Sequence, residues 1–183
     1  MEYLSDEDYI TRILNGDSRA FSCLIERHKA MVFTISLRIT EHREEAEEVA
    51  QDVFLKMYQA LHTFKGNSKF STWLYSIAYN MAVSHIRKSC PDYIPLSDVE
   101  YKMSDESDEM TIFDEESDDN QRRIALSRAL DNLKQDELLL INMYYTQQMS
   151  IEQISEITKL SASNVKVKLF RIRKKISDEI VNK

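Results

Sequence analysis

An all-α fold of two small helical domains, joined by an acidic flexible linker, is what this 183-residue sequence predicts. Three observations carry the prediction. Apolar residues recur at helical spacing in both flanks of the chain. Two Gly and two Pro are too few for a turn-rich β architecture. Between the flanks, a stretch holding both prolines has no helical apolar period and is densely acidic. The domains are therefore read as 1–90 and 121–183, with 91–120 as the linker.

Composition narrows the class. The chain is 43% hydrophobic and 30% charged, as expected of a soluble helical protein. No run of about 18 apolar residues occurs, and the start MEYLSDEDYI is acidic, so neither a membrane span nor a signal peptide is expected. The expected location is the cytoplasm. Cys23 and Cys90 form neither a disulfide framework nor a CxxC pair and read as free thiols.

The net charge of −7 hides a strong asymmetry. Residues 1–90 carry 11 basic and 12 acidic side chains, 91–120 carry 1 and 12, and 121–183 carry 12 and 7. Polyanion binding depends on the field of the face that meets the phosphates, within about 8 Å at physiological salt. A basic C-terminal lobe thus points to DNA although the whole chain is acidic. Like-charge repulsion predicts an extended, mobile linker, either a solubilising spacer or a competitor for the basic lobe.

In the first lobe, Ser5 is placed to cap a helix with the stripe Tyr9, Ile10, Ile13 and Leu14, stopped at Asn15-Gly16. Asp17 caps a second helix that runs towards Ile39, with Phe21, Leu24, Ile25, His28, Val32 and Ile35 inward. The third is the clearest, because Ala46, Val49, Ala50, Val53, Phe54, Met57 and Leu61 share one face. After the loop 64–70, a fourth helix capped by Ser71 ends near Lys88.

The second lobe reads as helices near 121–133, 136–147, 151–157 and 162–177. Ser150-Ile151-Glu152-Gln153 fits a capping box, and Ser161 is placed to cap the last helix. The four residues 158–161 between two short amphipathic helices fit a helix-turn-helix.

Three surfaces are candidates for function. On the last helix, Val165, Leu169, Ile172 and Ile176 form the inner side, and Ser163, Asn164, Val167, Phe170, Arg171 and Lys174 the outer, flanked by Lys166, Lys168, Arg173 and Lys175. Seven basic residues and no acidic one lie between Lys159 and Lys175. A solvated basic helix end would show some of this bias. Charge, cap and preceding helix-turn together favour duplex DNA, with Asn164, Lys168 and Arg171 as candidates for base edges.

Opposite the core stripe of the third helix lie Glu44, Glu48, Gln51, Asp52 and Gln59 around Leu55. This is either a solvated acidic face or a partner surface with an apolar anchor. The fourth helix has a narrow polar stripe, Ser76, Asn80 and Arg87, with Val83 in line. Aromatic side chains beside Lys65, Lys69, Arg87 and Lys88 suit the stacking of unpaired bases, although large aromatics are ordinarily core. The four histidines have no metal-ligand spacing, and no Gly-rich phosphate loop occurs. No enzyme, cofactor, metal or small-molecule substrate is expected.

The stretches EEAEEVAQDVFLKMYQAL (44–61), FKGNSKFSTWLYSIAYNMAVSHIRK (64–88) and SIEQISEITKLSASNVKVKLFRIRKKI (150–176) resemble the extracytoplasmic-function (ECF) class of bacterial RNA polymerase sigma factors, within the sigma-70 family. The resemblance implies a sigma-2-like domain followed by a sigma-4-like helix-turn-helix domain. It implies that Glu44, Glu48, Gln51, Asp52 and Leu55 dock on the clamp of the polymerase largest subunit. It further implies that Lys65, Gly66, Asn67, Ser68, Lys69 and Phe70 receive a flipped base of the minus-ten element. Ser76, Asn80 and Arg87 would then hold the unwound strand.

Ser163, Asn164, Lys166, Val167, Lys168, Phe170, Arg171 and Lys174 would meet the minus-thirty-five duplex. Implied partners are core RNA polymerase, promoter DNA in duplex and single-stranded form, and an anti-sigma factor, with no membrane insertion. The sequence departs from the family at Lys134, where Pro is usual, at Gln148, where Gly is common, and at Ser163-Asn164, where Gly-Thr is common. No domain beyond this two-lobe form is expected. Two competing readings are a helix-turn-helix regulator acting without polymerase and a sigma-mimic adaptor that has lost DNA contact. The first lacks a dimerisation element, and the second has no need of the basic run.

Overall fold

The computed structural model describes residues 4–91 and 119–181. Most of the acidic linker, and with it the expectation of a mobile strap, lies outside the described residues. Contacts divide the chain into two compact units, 1–95 and 96–183. Among the described residues the regular structure is entirely helical.

The first unit holds α1 (Asp6–Leu14), α2 (Ser18–Thr40), α3 (Arg43–Ala60) and α4 (Phe70–Ser89). Ser5 caps α1 with a reciprocal box: its Oγ accepts from Asp8 N–H at 3.2 Å, and Asp8 Oδ2 accepts from Ser5 N–H at 2.9 Å. Asp17 accepts from Arg19 N–H and Ala20 N–H at the start of α2. The long α2 packs against α1, α3 and α4, and α3 packs on α4. Leu24, Val32 and Ile35 of α2 thereby meet Val53 and Met57 of α3 and Leu74, Tyr75 and Ala78 of α4 in one buried core.

Two details differ from the expected pattern. Leu14 is exposed, because the short α1 buries only Ile10 and Ile13. Lys69 rather than Ser71 occupies the N-cap of α4, and its carbonyl accepts from Thr72 and Trp73 N–H. Phe70 sinks into the core as the first helical residue, which starts the helix earlier than the side-chain capping signal does.

Asp6 ties α1 to α2. Its carboxylate accepts from Arg27 Nη1 at 2.6 Å and lies 3.0 Å from His28 Nε2. Burial alone would raise this carboxyl, but hydrogen bonds to His28 and Arg27, with their charges, hold it below the ordinary value of 3.8.

The second unit holds α5 (Asp119–Asp131), α6 (Gln135–Ile141), α7 (Ile151–Thr158) and α8 (Ala162–Val181). The expected helix 136–147 is α-helical only to Ile141, then widens into a π turn, Asn142–Thr146. The widening is visible where Gln147 N–H donates to Asn142 O at 2.9 Å, five residues back. Gln148 follows at φ +53°, a left-handed backbone that accounts for glycine suiting this position.

The capping box at Ser150 and Gln153 starts α7. Lys159, at φ +64°, ends it, and Ser161 Oγ accepts from Asn164 N–H at 3.2 Å to start α8. Ser155 Oγ donates to Leu160 O at 2.6 Å and closes the turn between the two helices. α8 packs against α5, α6 and α7.

Candidate nucleic-acid and partner interfaces

On α3 the two faces are cleanly separate. Ala46, Val49, Val53 and Met57 are buried, whereas Glu44, Glu48, Gln51 and Asp52 are exposed around Leu55, itself 58% exposed. Nothing in the core requires Leu55 to be apolar. One turn on, Tyr58 is also exposed, its ring edge-on to Phe21 at 4.9 Å. Sequence reasoning did not single out Tyr58, although its spacing of three from Leu55 extends the same apolar strip.

The loop 64–70 stands on an aromatic base. Phe64, Phe70 and Trp73 lie with ring centroids 5.5–5.6 Å apart, and His28 meets Phe70 edge-on at 5.3 Å. Lys65, Gly66, Asn67 and Lys69 are exposed above it, and Ser68 is half-buried. Gly66 sits at φ +73°, where any side chain would strain the backbone. Phe70 is 1% exposed, so it cannot be offered to a base as expected; it anchors the loop from beneath.

Along α4, Asn80 and Arg87 are exposed and Ser76 is half-buried, while Val83 is core. Asn80 Nδ2 donates to Ser76 O at 2.8 Å, which fixes its rotamer on the helix surface. Tyr75 and Tyr79 belong to the core and not to a stacking surface. Among the described residues the Tyr75 hydroxyl has no hydrogen-bond partner, and its burial pushes the phenol far above its usual range, with Arg38 opposing and Tyr79 adding to the rise.

On α8, Ser163, Lys166, Phe170, Arg171 and Lys174 are exposed, and Asn164 and Lys168 are half-buried. Val167 departs from the expected outer face: it is 7% exposed. Val165, Leu169, Ile172 and Ile176 form the expected inner stripe, and Val167, on the far side from Val165, is covered as well. Lys175 and Arg173, among the flanking cations, make contacts within the unit. Lys175 Nζ lies 2.9 Å from Glu137 Oε2, and Arg173 Nε donates to Tyr145 OH at 2.6 Å. The periodicity gives no sign of this last contact, because the π turn breaks the helical register that places Tyr145.

Among the described residues, no group of three His, Cys, Asp or Glu side chains is placed to hold a metal, and no helix is long and apolar enough to cross a membrane. Both cysteines are free and exposed.

Known proteins resemble this chain in sequence and fold. Residues 24–89 match the family model for Sigma-70 region 2, and residues 123–176 that for Sigma-70, region 4. The chain is 28% identical to the RNA polymerase sigma-H factor of Pseudomonas aeruginosa, over 93% of this chain and 91% of that protein. It is also 28% identical to the ECF RNA polymerase sigma factor SigW of Bacillus subtilis, over 93% of this chain and 94% of that one. A solved relative, the sigma factor RpoE in complex with the anti-sigma factor NepR from Bartonella quintana, has the same fold. Its TM-score is 0.56 at 20% identity, covering 88% of this chain and 96% of that one.

Proposed function

Because the chain belongs to the extracytoplasmic-function class of the sigma-70 family, we propose that it binds core RNA polymerase, directs it to particular promoters and assists their melting. The observation that carries this reading is the presence of both sigma regions, in order, on two separate compact units. On this reading the acidic face around Leu55 docks on the polymerase clamp, with Glu44, Glu48, Gln51 and Asp52 as its polar rim. Leu55 is the desolvated anchor and the carboxylates set orientation.

The loop from Lys65 to Lys69 receives an unpaired minus-ten base, and Ser76, Asn80 and Arg87 line the path of that strand. A base held out of the stack cannot restack, so capture draws the duplex towards the open form. Exposed Lys166, Arg171 and Lys174, with Ser163, Asn164, Lys168 and Phe170, meet the minus-thirty-five duplex. Val167 and Phe70 serve these surfaces from the core.

The protein makes and breaks no bond of its own, needs no cofactor, and works where the polymerase does, in the bacterial cytoplasm. An anti-sigma factor is its expected regulator, in keeping with the solved relative found in such a complex. The test is transcription in vitro with core polymerase and genomic promoter DNA. Specific starts that require this chain are expected. Absence of any start with active core would leave the two competing readings, a helix-turn-helix regulator acting without polymerase and a sigma-mimic adaptor.

A further inference from the structure

The basic residues of α8 are not one class. Arg173 follows Arg171 by two positions, which turns it about 200° around the helix axis. It therefore faces away from the side that carries Arg171. There its guanidinium lies 5.3 Å from the centroid of Tyr144 and 5.6 Å from that of Tyr145, and its Nε donates to the Tyr145 hydroxyl at 2.6 Å. The two tyrosines meet edge-on at 5.0 Å.

Successive residues of an ordinary α turn splay by about 100°. The wider π turn narrows that angle and lets both rings address one cation. The same turn is closed by Met149 N–H donating to Met143 O at 3.0 Å, immediately before the cap of α7. Arg173 thus ties α8 to the segment that launches α7, in addition to the direct packing of α7 on α8.

From this geometry we infer that Arg173 is a positioning residue for duplex reading, held in place by Tyr144 and Tyr145, and not a phosphate grip. A flexible Lys could supply charge here but neither the planar stack nor the directed Nε–H. The inference rests on the assignment of α8 to the minus-thirty-five duplex and deepens it.

The two roles differ in what salt does. Each phosphate contact releases counterions, so its loss lowers the slope of log K against log salt by about one. A positioning contact leaves the slope alone and lowers the preference for cognate over scrambled duplex. The experiment measures binding of the full chain to a minus-thirty-five duplex and to a scrambled duplex, at several salt concentrations. Arg173→Gln, Tyr145→Phe and Lys174→Ala are compared with wild type, and circular dichroism checks their folding.

Tyr145→Phe, which alters no charge, is expected to reduce the cognate preference about two- to tenfold, the worth of one net hydrogen bond. Arg173→Gln should reduce it at least as much, and neither should change the salt slope. Lys174→Ala should lower the slope by about one on both duplexes. Unfolding of Arg173→Gln would leave Tyr145→Phe to decide. Unchanged cognate preference in Tyr145→Phe overturns the inference, and a slope lowered by one in Arg173→Gln assigns that residue to phosphate instead. If the wild-type chain does not distinguish the two duplexes at all, the assignment of α8 to the minus-thirty-five element fails, and the inference with it.

Discussion

On the proposed function, α3 and α8 both combine a structural and a recognition task, and they divide them differently. On α3 the core stripe and the acidic outer face share no residue, so the surface can vary without touching the packing. On α8 one buried stripe, Val165, Leu169, Ile172 and Ile176, packs against neighbouring helices, but Val167 is buried on the opposite side, between exposed Lys166 and Arg171. Recognition on α3 would be laid over a finished fold, whereas on α8 a core residue, Val167, sits within the recognition side. Changes on the outer face of α3 should therefore separate function from stability, and changes to the buried residues of α8 should not.

The largest expected effect tests the first half of that contrast. Leu55→Arg combined with Asp52→Lys should abolish co-purification with core polymerase while far-UV circular dichroism and the thermal midpoint remain native. Retained binding would return this face to ordinary solvated surface.

For the second half, Leu169→Ala should cost about 2–5 kcal/mol of stability in the C-terminal unit, because the side chain is fully packed. Binding to the minus-thirty-five duplex should fall in step, as read by denaturant melts alongside DNA titrations. Native duplex affinity in a destabilised Leu169→Ala would break the comparison. Next in size, Lys168→Ala and Arg171→Ala should each weaken cognate binding by about 1–3 kcal/mol if they reach base edges. Equal losses on scrambled duplex would make them phosphate contacts.

Legibility from sequence followed the same division. The helices of the first lobe and the separate faces of α3 could be read from spacing, because α1 and α3 each have one dominant buried side and α4 leaves only a narrow polar stripe. The helix-turn-helix was legible from its capping residues Ser150, Gln153 and Ser161. Val167 was misplaced because a helix wheel presumes a single inner face. Tyr145 escaped because a π turn shifts the register that any fixed period assumes. Phe70 was misread because the family segment that it ends is a loop, and only the structure shows that loop resting on its ring.

Smaller effects probe the N-terminal unit away from its recognition faces. Asp6 has a lowered carboxyl, so it contributes stability above the ordinary carboxylate range and loses it as pH falls through the depressed value. Asp6→Asn should accordingly flatten the decline of stability below pH 3.8 in acid titrations followed by circular dichroism. A wild-type curve no steeper than that of the variant would remove Asp6 from the account. The smallest change is expected from Tyr75→Phe. Deleting a buried hydroxyl without a partner should leave the thermal midpoint unchanged or raise it, whereas a fall would reveal a hydrogen bond at that oxygen.

Among the described residues three corners, at Glu41, Gln148 and Lys159, hold a left-handed backbone without glycine. A left-handed conformation costs an ordinary residue about 1–2 kcal/mol, and glycine would remove most of that strain. Glycine would also loosen the unfolded chain at each corner and so enlarge the entropy lost on folding. With two glycines in 183 residues, the denatured ensemble is comparatively stiff, and the turns are preset by neighbours that resist other conformations. The helix-turn-helix therefore has a hinge at Lys159 that does not swing freely, and its two helices arrive at a groove already at a fixed angle.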